Sequence, residues 1–400
     1  MTYHMLRLLL IVLVFFDFLF FNIKISFINI TMMRVIIIFL LAIIFLIGMK
    51  FGFKKPSTTL FEKGSLLFFA FWLIWSFLQL PFVAVKVEAI KGLYYLVIFL
   101  SIIFITNYKL NNSYLKNMIS LLSYIYIVML GIGFLEIVFN KHFSISKIVI
   151  EQLDIRASTA VFYNQNDFCL YLVMFLPLAL YYFKNVLLQS LILLSTIGII
   201  IVNDSFLAFA AIIIQLVIVL MNVKMDFRLK FAYILNLSIM CIAILPKIFE
   251  YYAHFLVQLQ TQSGSAYVRL TLIKNTLDII FNKSLLMGVG LNNITDALMQ
   301  YTNTVIVNPH NWWLELLALS GVFVFTGYVL FLGYILIYTY NHKSNKLLFY
   351  CFISIIGFAL ACISPSSVFN MTFVWLYYGI LIAIVRMSHQ KLKNDNNAII

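Results

Sequence analysis

Long apolar stretches separated by short polar segments follow one another along nearly the whole chain. Runs of roughly 15–22 apolar residues are long enough to cross a bilayer as helices, whereas a membrane β-barrel would alternate apolar and polar residues. The pattern therefore predicts an all-α, polytopic membrane helix bundle of about twelve transmembrane helices. The predicted spans are residues 6–21, 35–49, 64–85, 88–106, 117–139, 168–183, 186–202, 205–221, 231–248, 312–339, 347–363 and 367–385.

The composition favours the same fold class. Of the 400 residues, 64% are hydrophobic and 10% are charged, which leaves too few polar side chains to cover a water-soluble globule. The first apolar run has no small-x-small cleavage motif, so we expect a retained helix rather than a removed signal peptide. We therefore treat residues 1–400 as a single membrane domain.

The distribution of positive charge orients the predicted helices. The formal net charge is +13, but the lysines and arginines are scattered between apolar runs instead of forming one basic face, which argues against a nucleic-acid partner. With the N-terminus inside, most loop cations are cytoplasmic, as the positive-inside rule requires, and both termini are predicted to be cytoplasmic. The short outer loops then hold only Lys24, Arg34, Lys86 and Lys91.

Two longer outer segments carry cations that topology does not explain. They are a smaller extracytoplasmic segment, residues 140–167, and a large extracytoplasmic loop, residues 249–311. The smaller segment ends in a polar cluster of Arg156, Asn164, Asn166 and Asp167, just before the sixth predicted helix. One interpretation is that Asn166 or Asp167 caps this helix and Arg156 contacts lipid phosphate. Substrate binding by the cluster is the alternative.

The large loop is predicted to contain an amphipathic helix over residues 266–281. Arg269 and Lys274 lie on this helix. Gly288 and Gly290 follow it in the sequence MGVG, where missing side chains permit a tight turn or close approach of the backbone to a ligand. The spacing is not that of a nucleotide-binding loop. The apolar positions that recur at helical spacing are Leu270, Ile273, Leu277 and Ile280.

The end of the large loop, VNPHNWWLELLALSGVF, predicts the start of the tenth helix. Asn308 suits the N-cap and Pro309 the first helical position, which places His310 in the first turn. A helix N-terminus carries partial positive charge and disfavours an imidazolium, so His310 should stay neutral and able to act as a general base. Trp312 and Trp313 are interpreted as members of an interfacial aromatic belt in preference to a sugar-stacking platform.

Glu315 is an acid inside an apolar stretch. An ionised carboxylate near the bilayer centre costs about 2.5–3.5 kcal/mol, so Glu315 should face protein or a water-filled cavity. Asn311 lies four residues earlier on the same helix face and is a predicted hydrogen-bond partner. Orientation of the His310 turn and plain structural pairing both agree with this placement. Asp17, predicted near mid-span, has no assigned role.

Guanidinium groups and a neutral histidine beside a bilayer suit a substrate that joins a lipid tail to a phosphate head. Arginine binds phosphate oxygens bidentately and keeps its charge. The chain has no DxD pair to supply a divalent-metal diphosphate site, so cationic side chains would have to stabilise a leaving diphosphate. The cysteines lie in apolar runs without CxxC spacing, and we expect neither a metal nor another cofactor. They are Cys169, Cys241, Cys351 and Cys362.

Three blocks of the sequence look like the signature blocks of one family: Arg156 with NQNDF, Arg269 with MGVGLNN, and PHNWWLELLALSGVF. Over roughly residues 152–329 the chain resembles the O-antigen ligase and O-antigen or capsular polysaccharide polymerase family. Its members transfer a glycan from a polyprenyl diphosphate carrier to an acceptor hydroxyl on the outer face of the bacterial cytoplasmic membrane, without a metal. The resemblance implies that Arg156 and Arg269 bind the diphosphate and that His310 activates the acceptor.

One departure from the family pattern is Ser205 followed by Phe206, where members often have a serine-arginine pair. If that arginine helps to hold the carrier, its task is missing here or passes to another cation. The candidates are Lys247, Lys274 and Lys283. The predicted substrate-binding residues are Asn164, Asn166, Asn311, Glu315, Gly288, Gly290 and Lys274.

The resulting hypothesis is a membrane glycan polymerase that joins polyprenyl-diphosphate-linked repeat units, with inversion at the anomeric carbon through a single displacement. The expected partners are lipid-linked donor and acceptor glycans, membrane lipids, and the flippase and chain-length regulator of the same pathway. A ligase that moves finished glycan onto a lipid or wall acceptor would use the same residues. Polymerase is favoured because the chain is short and its outer loops carry no additional acceptor-binding domain.

A transporter or flippase for the lipid-linked glycan is the alternative of another class. Such proteins commonly show internal repeats and broken or ionisable helices near mid-membrane. The chain has no clear repeat, and its unexplained cations gather at one surface.

Overall fold

α-Helices form most of the computed structural model. The structure describes residues 2–20, 22–25, 28–51, 60–108, 110–142, 157–223, 226–262, 264–302, 309–365 and 367–397. The helices are α1 (Thr2–Phe16), α2 (Met32–Phe51), α3 (Leu60–Gln79), α4 (Lys86–Asn107), α5 (Asn112–Phe139), α6 (Gln165–Tyr182), α7 (Val186–Val202), α8 (Phe206–Asn222), α9 (Phe227–Gln260), α10 (Gly264–Ile279), α11 (Ile294–Thr302), α12 (Trp312–Asn341), α13 (Lys346–Ala361) and α14 (Thr372–Asn397). Shorter elements are the 3₁₀ turns Asp17–Leu19 and Leu80–Phe82, the π-helical turn Ile280–Ser284, and the antiparallel strands β1 (Asn22–Ile25) and β2 (Ile28–Thr31).

The predicted all-α membrane bundle is confirmed. Six helices of the described chain are long and apolar enough to cross a membrane, and four shorter helices are also apolar. Each of the twelve predicted spans coincides with an α-helix. The ninth was expected to end at residue 248, but α9 continues to Gln260, because residues 249–260 contain neither glycine nor proline. Gly264, which has a φ of 85°, follows the end of α9.

The connection between α1 and α2 differs from the prediction. α1 ends at Phe16, and the β1–β2 hairpin, which the sequence pattern did not indicate, leads into α2. The carboxylate of Asp17 accepts a hydrogen bond from the backbone N–H of Met33 at 2.8 Å. This bond satisfies one of the N–H groups that the first turn of a helix leaves without a partner. Asp17 therefore caps α2, and its predicted mid-span position was wrong.

The centre of the bundle is formed by α6 and α14. Nearly every side chain of α6 is buried, and this helix packs against α5, α8 and α13, while α14 packs against α4. Aromatic rings fill much of the interior: Trp375 is buried and lies over Phe99, with 5.1 Å between the ring centroids. Large apolar side chains such as Ile38, Leu67 and Leu330 are exposed on the outside of the bundle, as a surface that faces lipid requires.

Successive membrane helices run in opposite directions, so the bundle has two ends. We define the histidine end as the one where α12 begins beside His310; α2, α4, α6, α8 and α14 also begin there. The backbone N–H of Trp312 donates to the carbonyl of Cys362 at 3.1 Å, which joins the start of α12 to the end of α13. At the opposite end, Arg386 pairs with Glu62 at 3.0 Å.

A kink in α12 receives the MGVG segment of the large loop. Gly321, inside α12, has a φ of 75° and a ψ of 177°, a backbone conformation that is open only to glycine. The backbone N–H groups of Val289 and Gly290 donate to the carbonyls of Ala318 and Leu319 at 2.8 and 3.0 Å. The N–H groups of the loop thus supply hydrogen bonds to carbonyl groups that the kink leaves without a partner inside the helix.

The glycines at this crossing are needed for contact between two stretches of backbone. Gly288 has a φ of 77°, and a Cβ added to it would lie 2.5 Å from the carbonyl oxygen of Leu319. A Cβ on Gly321 would lie 2.1 Å from the carbonyl oxygen of Leu286. The close approach expected of Gly288 and Gly290 therefore occurs, but to the backbone of the chain itself. Their role in binding a ligand stays a prediction.

Replacing Gly321 with alanine is expected to destabilise the folded protein by about 3 kcal/mol or more. Steric overlap in a packed site costs about 1–3 kcal/mol, and a strained φ at a residue other than glycine adds about 1–3 kcal/mol. The midpoint of thermal unfolding in detergent measures the effect. Gly333→Ala, in the same helix, is the control, because a Cβ at Gly333 meets no heavy atom within 4 Å. Equal unfolding midpoints for the two variants would contradict the packing role of the crossing.

Candidate functional site

The N-terminus of α12 is set by Asn311. Its side-chain oxygen accepts hydrogen bonds from the backbone N–H groups of Trp313 and Leu314 at 3.0 and 3.3 Å, so the helix begins at Trp312. Asparagine is among the strongest N-cap residues. The oxygen of Asn311 is thus engaged by the helix and not by Glu315, which corrects the predicted pairing of those two side chains.

His310 lies immediately before the helix and not in its first turn. Its backbone is left-handed, with a φ of 47°, and Pro309 precedes it outside the helix. The predicted N-cap, Asn308, lies outside the described residues. The expected start of the helix was wrong because NPHN offers two asparagines as caps, and the second one is used.

The two tryptophans of this block point into the protein. Trp312 is buried, and its indole N–H donates to the hydroxyl of Tyr328 at 2.8 Å. Trp313 is half-buried and donates to the carbonyl of Ala359 at 3.1 Å. Their interpretation as an interfacial aromatic belt was therefore wrong, because each indole N–H is satisfied inside the bundle and both rings contact Tyr328.

The surroundings of His310 favour its neutral form. Burial lowers the pKa of His310 below its ordinary value of 6.5, the positive charge of Arg269 lowers it further, and a hydrogen bond with the backbone of Ser364 acts in the opposite direction. Nδ1 of the ring is buried and has no hydrogen-bond partner among the described residues. The neutral state expected from the sequence thus has another physical cause, namely burial and a nearby cation.

Ser364 connects His310 to the smaller outer segment of the sequence analysis. The hydroxyl of Ser364 donates to the side-chain oxygen of Asn166 at 2.9 Å, and Ser205 donates to the same oxygen at 3.3 Å. Asn164 is the N-cap of α6, because its side chain accepts hydrogen bonds from two backbone N–H groups in the first turn. The predicted caps, Asn166 and Asp167, lie inside that first turn, so this prediction was wrong. The two segments that were singled out by their charge therefore meet at the histidine end.

The connection between α13 and α14 is a part of the site that the sequence analysis missed. Glu315 is buried, and its carboxylate accepts hydrogen bonds from the hydroxyl of Ser367 and from the backbone N–H of Val368 at 3.0 Å. Ser364 belongs to the same connection. In sequence this stretch reads SPSSVFN, which is typical of any turn between two helices, so nothing marked it as functional. Glu315 faces protein, as predicted, and it holds this turn.

Arg269 and Lys274 lie on α10, and both side chains are exposed. The predicted helix is confirmed, but its buried face differs: Leu272 is 2% exposed, whereas Leu270 is 43% exposed. α10 packs against α9, α11 and α12, so its burial is decided by three helices and not by a flat membrane surface.

Arg156 lies outside the described residues, but the chain directly after it is held by two buried side chains. The carboxylate of Glu136 accepts hydrogen bonds from two successive backbone N–H groups, beginning with Thr159, at 2.8 and 2.7 Å. The side chain of Asn203 makes two hydrogen bonds with the backbone of Ser158, at 2.7 and 2.8 Å. The chain is therefore anchored at the histidine end two residues beyond Arg156.

Removing the Glu136 carboxylate tests this anchor. Glu136→Ala leaves two buried N–H groups without a partner, at a cost of about 1–3 kcal/mol each, so we expect a lower midpoint of thermal unfolding. Glu136→Gln keeps one acceptor oxygen and should lose less. If the two variants unfold at the same temperature as the unaltered protein, Glu136 does not hold the segment.

Among the cations considered for the missing arginine after Ser205, Lys247 is already engaged. Its ammonium donates to the carbonyl of Ile201 at 2.8 Å and pairs with the carboxylate of Asp204. Ile201 lies in the last turn of α7 and Asp204 comes shortly after the helix, so Lys247 stabilises that helix terminus. Lys274 remains a candidate for contact with a substrate.

Two cavities lie at the histidine end and share Asn370 and Thr372 in their linings. The first has a volume of about 340 Å³, and the second has a volume of about 440 Å³. The first cavity is bounded by α1, by residues 161–163 and by the start of α14. Its polar side chains are Tyr163, Asp167, Ser367, Asn370 and Thr372.

Metal ligation finds no support in the described part of the chain. No group of three or more His, Cys, Asp and Glu side chains comes together there. The independence of metal stays a prediction.

Residues 190–329 match the family model described as O-antigen ligase. This range contains the Arg269 and His310 blocks, while Arg156 precedes it. Over 359 residues, the chain is 27% identical to the teichuronic acid biosynthesis protein TuaE of Bacillus subtilis (strain 168), a match that covers 81% of this chain and 72% of that protein. These findings confirm the resemblance that the motif blocks indicated, to the O-antigen ligase and polymerase family. The protein is a multi-pass membrane helix bundle, and its residues 190–329 match the O-antigen ligase family model.

Proposed function

We propose that the protein is a membrane glycan polymerase that joins polyprenyl-diphosphate-linked repeat units at the outer face of the bacterial cytoplasmic membrane. The observation that carries this proposal is His310, whose pKa is lowered by burial and by the charge of Arg269 and whose Nδ1 has no partner among the described residues. A neutral imidazole can take the proton of a sugar hydroxyl, and a guanidinium can stabilise a leaving diphosphate. The similarity to a protein named for teichuronic acid biosynthesis supports a cell-envelope glycan as the product.

In the proposed step, the acceptor hydroxyl transfers its proton to His310 while its oxygen forms a bond to the anomeric carbon of the donor. The bond between that carbon and the diphosphate breaks, and the electron pair leaves with the diphosphate, which Arg156 and Arg269 bind. A single displacement of this kind inverts the anomeric carbon. Because Nδ1 of His310 is covered in this structure, the hydroxyl can reach it only after neighbouring groups move.

The proposed orientation places the histidine end outside the cell and both termini in the cytoplasm. It is supported by the cations near the opposite end of the bundle, since cytoplasmic loops carry an excess of lysine and arginine. These include Lys63, Lys116, Lys184, Lys230, Lys343, Lys346 and Arg386.

A ligase is the second candidate function, because the family model is described as O-antigen ligase. It would transfer finished glycan to a lipid or wall acceptor with the same residues and the same chemistry. The two functions differ in the product that accumulates when the reaction stops.

The test is a His310→Ala replacement in the native host, followed by analysis of lipid-linked and surface glycan together. Single repeat units at the surface would show lost polymerisation, whereas long polymer stranded on the carrier would show lost ligation. His342→Ala, a half-buried histidine at the opposite end, is the matched control and should leave the glycan unchanged. Undiminished polymer in a variant that lacks His310, Arg156 and Arg269 would overturn both functions.

A further inference from the structure

The second cavity at the histidine end contains cations that the proposed diphosphate site does not use. Arg34 stands at the start of α2 and Lys91 near the start of α4. Both belong to the outer side in the proposed orientation, where the positive-inside rule leaves cations rare. Topology therefore gives no reason for them. The polar side chains that line the second cavity are Arg34, Glu88, Lys91, Tyr95, Asn292 and Asn370.

The cations of the second cavity are held by neighbouring groups. The guanidinium carbon of Arg34 lies 5.2 and 5.3 Å from the ring centres of Tyr94 and Tyr95, within the range of a cation–π contact. The carboxylate of Glu88 accepts hydrogen bonds from the ammonium of Lys91 at 2.5 Å and from the amide of Asn292 at 2.7 Å. Helix starts and the large loop thus fix both charges before any ligand arrives, which lowers the entropy cost of binding.

The second cavity carries a net positive charge among its described lining residues, because Arg34 and Lys91 outnumber the single carboxylate of Glu88. An anionic group is therefore attracted to it. The first cavity adjoins the second, since both linings include Asn370 and Thr372.

We propose that the second cavity binds the acceptor glycan through an acidic group on one of its sugars. The guanidinium of Arg34 and the ammonium of Lys91 pair with a carboxylate or phosphate substituent, while Tyr95, Asn292 and Asn370 offer a ring face and amides to the sugar. The assignment rests on the proposed function, because it takes a glycan as the substrate. It adds a selection for acidic acceptors, which is separate from the binding of the donor diphosphate by Arg156 and Arg269.

Binding of defined oligosaccharides to the purified full chain in nanodiscs tests the proposal. Tetragalacturonate, which carries carboxylates, should bind, and maltotetraose, which is neutral, should bind at least about 10-fold more weakly. Arg34→Gln and Lys91→Gln should each weaken tetragalacturonate binding by about 10-fold, and Arg34→Lys should retain part of it. Lys86→Gln removes an exposed cation from the same end of α4 and should change nothing.

A lipid source of the anion is distinguished in the same assay. If vesicles of phosphatidylglycerol compete fully with tetragalacturonate and bind more tightly, the cavity holds a lipid headgroup and the glycan assignment is overturned. Equal affinity for tetragalacturonate and maltotetraose, or no binding of either, would also overturn it.

Transfer kinetics separate this proposal from the proposed function. Arg34→Gln should raise the KM for an acidic acceptor by about 10-fold and leave kcat unchanged, since Arg34 does not touch the reacting atoms. His310→Ala should lose transfer but still bind tetragalacturonate. If His310→Ala loses transfer but Arg34→Gln keeps its KM, the proposed acceptor site is wrong and the proposed function still stands.

Discussion

Replacing His310 with alanine is expected to slow glycan transfer by a factor of about 10²–10⁴, the usual contribution of a positioned general base. The physical reason is the state of the ring: burial and the charge of Arg269 lower its pKa, so the ring is neutral near pH 7 and can accept a proton. Without it, the acceptor hydroxyl must lose its proton to water. The initial rate with purified protein and lipid-linked repeat units measures the loss.

His310→Gln is the informative companion, because glutamine keeps a polar side chain but cannot take up a proton at neutral pH. It should be as inactive as His310→Ala, whereas a purely structural role would let glutamine restore part of the rate. His342→Ala, at the opposite end, should retain the full rate. A His310→Gln variant with near-normal kcat would remove His310 from the reaction.

The rate of the unaltered protein should fall on the acid side as His310 becomes protonated. Because the pKa is lowered from 6.5, the neutral form persists below pH 6.5, and the midpoint of the acid limb should lie below that value. The pH profile of kcat/KM reports this midpoint.

Replacing Arg269 with glutamine is expected to have two effects at once. The rate should fall by about 10²–10³, the range seen when a group that stabilises developing negative charge is removed. The acid limb should also move to higher pH, since the charge of Arg269 is one of the causes that lower the pKa of His310. Taking this charge away makes the imidazole easier to protonate, so less of the neutral base is present at a given pH.

The conservative variant separates these effects. Arg269→Lys keeps the positive charge, so the acid limb should stay near its original place, while the bidentate contact with the diphosphate is lost and the rate still drops. Lys230→Gln removes an exposed cation at the opposite end and should alter neither quantity. An acid limb that does not move in Arg269→Gln would show that the two side chains are not electrostatically coupled.

The helices could be read from the sequence because a bilayer imposes a strong local rule. Each spanning segment must be apolar along its length and must satisfy its own backbone hydrogen bonds, so the pattern alone predicted a helix at each of the twelve places where the described chain has one. Errors occurred where that rule does not apply. The length of α9, the hairpin after α1 and the first residue of α12 depend on caps and on the absence of breaking residues, which hydropathy does not register.

The candidate site was predicted in part for the same kind of reason. Charged residues stand out in an apolar chain, and this drew attention to Arg156, Arg269 and His310. Uncharged partners do not stand out: Ser364 and Ser367 form hydrogen bonds to Asn166 and Glu315, yet serines in a turn are common and carry no such signal. The second cavity escaped notice because Arg34 and Lys91 are distant in sequence and had been counted only as loop charges.

The sequence by itself determined that this is a helical membrane protein, where its helices lie, which family it resembles and which charged residues lack a topological reason. The tertiary structure decided what those residues meet. Local periodicity is a property of neighbouring residues and of the bilayer around them. The pairing of Ser364 with Asn166, the anchoring of the chain after Arg156 by Glu136, and the passage of MGVG across the Gly321 kink each join residues far apart in the chain. Such contacts depend on how helices pack, which no single segment encodes.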